Sequence, residues 1–161
     1  MVSGSNEGKE RRIGSREMKY KLYQVNWSYT DGTGTNESIA DYCIGKVLNF
    51  CCGKSKLGDV RVDLLQGLKP DVIADVYHFP FRRNSFDTVM LDPPFEYYGR
   101  FRWLNKFSNI AGKRLILCTP QIAYRFRKFL LKEIIAVVTH TYYTRLWYIY
   151  DRKDFDLDQF K

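Results

Sequence analysis

Four short stretches of this sequence carry side chains that can hold and orient a polar ligand: Asn49-Phe50-Cys51-Cys52-Gly53, Asp63, Asp75 and Asp92-Pro93-Pro94-Phe95. Three carboxylates and an amide supply hydrogen-bond acceptors. A glycine lets backbone pass close to a ligand, and two prolines stiffen a loop while removing its N–H donors. Metal and disulfide chemistry are not expected: Cys43, Cys51, Cys52 and Cys118 show no C-x-x-C spacing, and His78 and His140 stand apart. Cys51 and Cys52 read as small turn residues rather than nucleophiles, and His78 as structural. For any one aspartate a helix cap or turn is the ordinary role, so the recurrence of such residues is the signal.

The elements around these residues explain the recurrence. Apolar runs at 46–50, 59–63, 72–74, 87–91, 114–118, 133–138 and 143–150 predict seven short strands, with helices expected at 99–110 and 121–132 and a short helix after Asn36 or Ser38 that ends at Gly45. Strands alternating with helices or loops argue for an α/β domain with a mostly parallel sheet. In such sheets ligands bind outside the carboxyl ends of the strands. The first, second, third and fourth strands end on Asn49 to Gly53, Asp63, Asp75 and Asp92 in chain order. A length of 161 residues suits one domain: residues 19–161, preceded by a flexible basic arm at 1–18.

The pattern resembles the class I S-adenosylmethionine-dependent methyltransferases, in the branch that methylates exocyclic amino groups. The resemblance covers about residues 30–150 and implies a Rossmann-like, mostly parallel seven-stranded sheet with an antiparallel last strand. By this resemblance Asn49, Phe50, Cys51 and Gly53 form the first cofactor motif, Asp63 binds the ribose hydroxyls, and Asp75 with Val76 receives the adenine. Thr33 or Thr35, in a Gly-rich loop, binds the cofactor carboxylate or serves a simple turn. Asn49 stands where the family has an acid, and Cys51 and Ser55 stand where it has glycines. Only residues 54–58 separate Gly53 from the next strand, too few for the usual crossover. The first crossover helix is therefore expected to be shortened or absent, leaving a sheet face exposed or covered by a partner.

Asp92-Pro93-Pro94-Phe95 resembles the family's catalytic tetrapeptide. Asp92 and the Pro93 carbonyl accept from the two N–H groups of the target nitrogen and aim its lone pair at the sulfonium methyl, while Phe95 stacks on a flipped base. Pro94 completes the rigid loop. The motif order resembles DNA adenine-N6 enzymes, so the expected substrate is adenine N6 in DNA. The alternatives are an RNA base, at adenine N6 or guanine N2, or a non-catalytic nucleic-acid-binding subunit.

The charge agrees with an anionic partner. The formal net charge is +8, and residues 99–132 hold nine basic side chains without one Asp or Glu. Arg100, Arg102, Lys106, Arg125, Arg127 and Lys128 are the expected phosphate contacts. Tyr97, Tyr98, Phe101 and Trp103 serve either as a stacking loop or as the core face of a helix. No segment remains for a recognition domain, so base readout falls to loops, the arm, a specificity partner or a second copy. No apolar run reaches the roughly 20 residues that span a membrane, and the first residues lack a signal-peptide core, so a cytoplasmic location is expected.

Overall fold

The computed structural model describes residues 38–94, 103–119, 124–137 and 144–154 in full, and the backbone of 19–25, 138 and 139. The expectations placed on the 1–18 arm and on Thr33, Thr35, Phe95, Tyr97, Tyr98, Arg100, Phe101 and Arg102 lie outside the described residues.

An eight-stranded sheet organises the chain: β1 (Lys19–Val25), β2 (Val47–Phe50), β3 (Val60–Asp63), β4 (Val72–Ile73), β5 (Phe86–Leu91), β6 (Ala111–Thr119), β7 (Phe129–Thr139) and β8 (Thr144–Arg152). Their order across the sheet is β1-β7-β8-β6-β5-β2-β3-β4. All pairings are parallel except those of β8, which runs antiparallel between β6 and β7. The seven expected strands are present, and β1 adds an edge strand beside β7 that the sequence reading did not include.

One α-helix is described, α1 (Leu104–Ile110), within the expected 99–110 segment. It lays Leu104, Phe107 and Ile110 on the sheet face formed by Leu48, Phe50, Val89, Leu91, Leu115 and Leu117. The helix expected at 121–132 is corrected: residues 124–128 are irregular and β7 already begins at Phe129. Phe126 and Phe129 are buried, Phe126 against Tyr150 of β8, so residues 124–128 pack on the sheet and lead straight into a strand. The short helix before Gly45 is a single 3-10 turn, Ala40–Tyr42.

Residues 51–59 connect β2 to its parallel neighbour β3 without a helix, as the short spacing required. The second sheet face is nonetheless covered. Ile39, Tyr42, Cys43 and Leu57 pack with Met90, Ile116, Ile135, Val137, Trp147 and Ile149. Exposure persists at the β4 edge, where Ile73 is 54% exposed. Tyr148 and Tyr150 lie in the core of the first face and Trp147 in that of the second, as expected for strand residues.

Candidate active site

Three parallel strands, β2, β3 and β5, end along one edge of the sheet, and the chain that leaves them encloses a cavity of about 430 Å³. Phe50, Cys51 and Gly53 form one wall, Asp63 a second, Asp75 and Val76 a third, and Asp92 with Pro94 a fourth. The residues picked from sequence as strand ends thus meet around one space. Leu64, Leu65, Leu68 and Ala74 also line it. Leu64 and Leu65 are 55% and 62% exposed, an apolar rim that the sequence reading did not single out.

Local hydrogen bonding fixes each acid. Asp63 joins two loops: its Oδ2 accepts from the Gly53 N–H at 2.9 Å and its Oδ1 from the Leu65 N–H at 3.0 Å. Each carboxylate oxygen keeps a lone pair for a ligand hydroxyl. The Oδ1 of Asp75 accepts from the Tyr77 and His78 N–H groups at 2.6 and 2.8 Å. The Tyr77 bond, then those of His78, hold the Asp75 carboxyl below its ordinary value. Asp75 is thereby ionised and preset as an acceptor.

Asp92 is more enclosed than Asp75, their side chains 13% and 36% exposed. Burial raises the pKa of Asp92, opposed by the Arg145 charge and by the Cys118 and Arg145 hydrogen bonds. Arg145 donates from a terminal guanidinium nitrogen to Asp92 Oδ2, and it lines the same cavity. Sequence reasoning missed Arg145. The available signal was an Arg standing directly before the apolar run 146–150. The thiols nearby are poor nucleophiles: burial pushes Cys51 and Cys118 well above the ordinary range and Cys52 to about 11.

The first motif is strained where it departs from glycine. Cys51 has φ +57° and Gly53 φ +55°, the left-handed region where a Cβ costs about 1–2 kcal/mol. A Cβ on Gly53 would meet nothing within 4 Å. Gly53→Ala is therefore expected to destabilise by roughly that backbone cost alone, read as a lowered denaturation midpoint. An unchanged midpoint would mean the turn relaxes.

Asn49 does not reach the cavity, which corrects its expected cofactor role. The pleat turns it to the second face, fully buried, where its Nδ2 donates to the Leu57 carbonyl at 3.0 Å. It pins the helix-free 51–59 loop. A Cβ on Gly58 would stand 3.1 Å from the Asn49 Cβ, so that loop lies directly over it.

The expected phosphate contacts are dispersed. Lys106 donates to the Tyr77 carbonyl at 2.6 Å, beside the Asp75 turn. Arg125, Arg127 and Lys128 are exposed. Lys128 bonds Asn109, at the end of α1, and its carbonyl accepts from the Lys153 N–H. Arg127 and Lys128 immediately precede β7, whose start pairs with the end of β8, so they sit at the edge of the sheet opposite Asp92. The structure does not bring them to the cavity. Among the described residues, no group of three His, Cys, Asp or Glu side chains converges as a metal site requires.

No family model and no curated protein matches the sequence. Solved structures do match the fold. The magnesium protoporphyrin IX methyltransferase of Synechocystis PCC 6803, crystallised with bound SAM, aligns at TM-score 0.53 and 18% identity over 74% of this chain and 78% of that one. The PH0226 protein of Pyrococcus horikoshii OT3 aligns at TM-score 0.52 and 11% identity over 77% and 94%. The chain has the α/β fold of a SAM-dependent methyltransferase.

Proposed function

We propose that the chain is an S-adenosylmethionine-dependent methyltransferase acting on an exocyclic amino group of a nucleic-acid base, adenine N6 in DNA. The observation that carries this reading is the convergence of Asp63, Asp75, Asp92 and Pro94 on one cavity at the carboxyl edge. The residues present fit the cofactor. Asp63 accepts from ribose hydroxyls, Asp75 and Val76 meet the adenine, and the Cys51 to Gly53 turn exposes backbone where the methionine end passes. When bound, the cofactor supplies an electrophilic sulfonium methyl. The chain's own part is to orient the acceptor nitrogen: Asp92 and the Pro93 carbonyl take its two N–H groups. Phe95 follows directly in sequence as the stacking residue for an unstacked base.

The polyanion is expected over the cavity mouth, on the side of Lys106, with Arg100 and Arg102 as further phosphate contacts expected from the sequence alone. Arg127 and Lys128, on the opposite edge, serve only a partner or a second copy. Asp63→Ala removes the acceptor of two backbone donors as well as the ribose contact. It is expected to weaken cofactor binding at least tenfold, the worth of one charge-assisted hydrogen bond at about 1.5–3 kcal/mol. Titration calorimetry with the cofactor measures this, and affinity equal to wild type would remove Asp63 from the site.

Two observations favour a second reading, a non-catalytic subunit that binds nucleic acid. Asn49 is withheld from the cavity, and Arg145 already occupies an Asp92 oxygen. Transfer of labelled methyl from cofactor to DNA and to RNA, followed by nucleoside analysis, separates the cases. Label in N6-methyladenosine of RNA or in N2-methylguanosine moves the substrate to RNA. Cofactor binding with no label in either polymer supports the non-catalytic reading.

A further inference from the structure

The three cavity aspartates are supported in two different ways. Asp63 takes the N–H of Leu65, two residues on, and Asp75 takes those of Tyr77 and His78, two and three residues on. Such turns are the usual local support of an Asp carboxylate. Asp92 is denied the bond from two residues on that Asp63 and Asp75 both have, because residue 94, like 93, is a proline without an N–H. The tetrapeptide that keeps donors out of the site also leaves its own acid with no support from the following two residues.

Side-chain support comes from the Cys118 thiol of β6 and, as its charged part, from β8, which runs antiparallel to its neighbours. Because β8 is antiparallel to β6, its first residues lie at the carboxyl edge, with Leu146 opposite Thr119 and Trp147 opposite Cys118. The period of two then puts Arg145 on the same face as Trp147 and Ile149, the face that also carries Met90 and Cys118. Asp92 follows Met90 by two residues, and the guanidinium meets its carboxylate there.

We propose that Arg145 is a positioning residue of the amino-group site: it replaces the backbone donors the prolines lack, holds Asp92 Oδ2, and leaves Oδ1 as the acceptor for the substrate N–H. This rests on the reading of Asp92 as the amino-group acceptor. The ionisable groups around Asp92 are Arg145 from β8, Cys118 from β6 and Cys51 from the turn after β2, with Asp63 beyond Cys51. Arg145 is the cation among them, so its removal changes Asp92 in one direction: the carboxylate becomes harder to form.

The test follows Asp92 itself. Side-chain carboxyl resonances of ¹³C-aspartate-labelled protein, with Asp92 assigned through Asp92→Asn, are titrated in the wild type, Arg145→Met and Arg145→Lys. Methyl transfer is measured against pH in the same proteins. In Arg145→Met the Asp92 midpoint is expected to rise by one unit or more, a tenfold change in proton affinity, with the acid limb of transfer moving equally. Arg145→Lys is expected to restore most of the shift. An Asp92 midpoint unmoved in Arg145→Met overturns the proposal, and so does transfer that rises at every pH, which would make the pair a brake. Where Arg145→Met does not fold, Arg145→Lys and Arg145→Gln carry the comparison on the same criterion. If the midpoint moves while no variant or wild type transfers methyl to any base, the positioning of Asp92 stands and the substrate reading fails.

Discussion

Replacing Asp92 by Asn is expected to lower methyl transfer by about 10²–10³-fold, the usual loss when one preorganised electrostatic contact to a reacting group is removed. Cofactor binding and the fold should survive. Asn keeps a carbonyl oxygen for the Arg145 guanidinium, so the geometry at the end of β5 is retained while the negative charge is lost. That charge is what draws the target N–H and concentrates the nitrogen lone pair. Single-turnover rates with saturating nucleic acid isolate the step, and a rate equal to wild type would end the assignment of Asp92.

The same residue predicts two opposite pH dependences. Burial raises the Asp92 pKa, and Arg145 and Cys118 only partly offset it. Transfer needs the carboxylate, so activity is absent in acid and appears as pH rises through the elevated Asp92 value, above the usual carboxylate range. Stability behaves conversely. A raised native value means the protonated acid favours folding, so this contribution is present below the unfolded value and is lost as pH rises through the native one. Asp92→Asn should flatten both trends. Rate profiles and thermal melts over one pH range check them together.

Most of the cavity was legible because strand ends are a local property. An apolar run followed by an acid names both the strand and its last residue, and parallel pairing gathers such ends at one edge. Hence Asp63, Asp75 and Asp92 could be placed before their neighbours were known. Arg145 could not. It lies 53 residues beyond Asp92, and its proximity depends on the register in which β8 pairs between β6 and β7, which an expected antiparallel last strand does not fix. Asn49 fails for the converse reason: its position in the strand was read correctly, but the pleat sends consecutive side chains to opposite faces. A motif alignment gives the residue without the face. The missing helix over residues 51–59 was readable from chain length alone, since too few residues were available for a helical crossover.

The basic run shows how a local charge count misleads. Residues 99–132 contain no acid of their own, yet two of their cations are paired from elsewhere. Lys113 meets Asp87 at 3.1 Å, and Arg114 donates from Nε to Asp151 at 2.7 Å. Sheet register makes the second pair, because Arg114 and Asp151 are direct partners of β6 and β8. The +8 excess is real for the chain, but its distribution in space is not its distribution in sequence.

That pair carries the largest expected effect on stability. Asp151→Ala should destabilise the protein by about 3–5 kcal/mol, the cost of leaving a buried charge without its partner. Both side chains are only 10% exposed, and the Arg114 guanidinium would keep just the Tyr42 carbonyl, at 2.8 Å, among its described bonds. The paired replacement Arg114→Met with Asp151→Leu should cost far less, because both charges then leave the interior together. Asp151 Oδ2 is buried without a hydrogen-bond partner in the wild type, so the native pair already carries an uncompensated polar atom. Urea denaturation measures the difference. Because Arg114 is committed to the interior, the paired variant should also leave the salt dependence of nucleic-acid binding unchanged, whereas loss of a phosphate contact lowers that slope by about one unit. A lowered slope in the paired variant would return Arg114 to the surface that binds the polyanion.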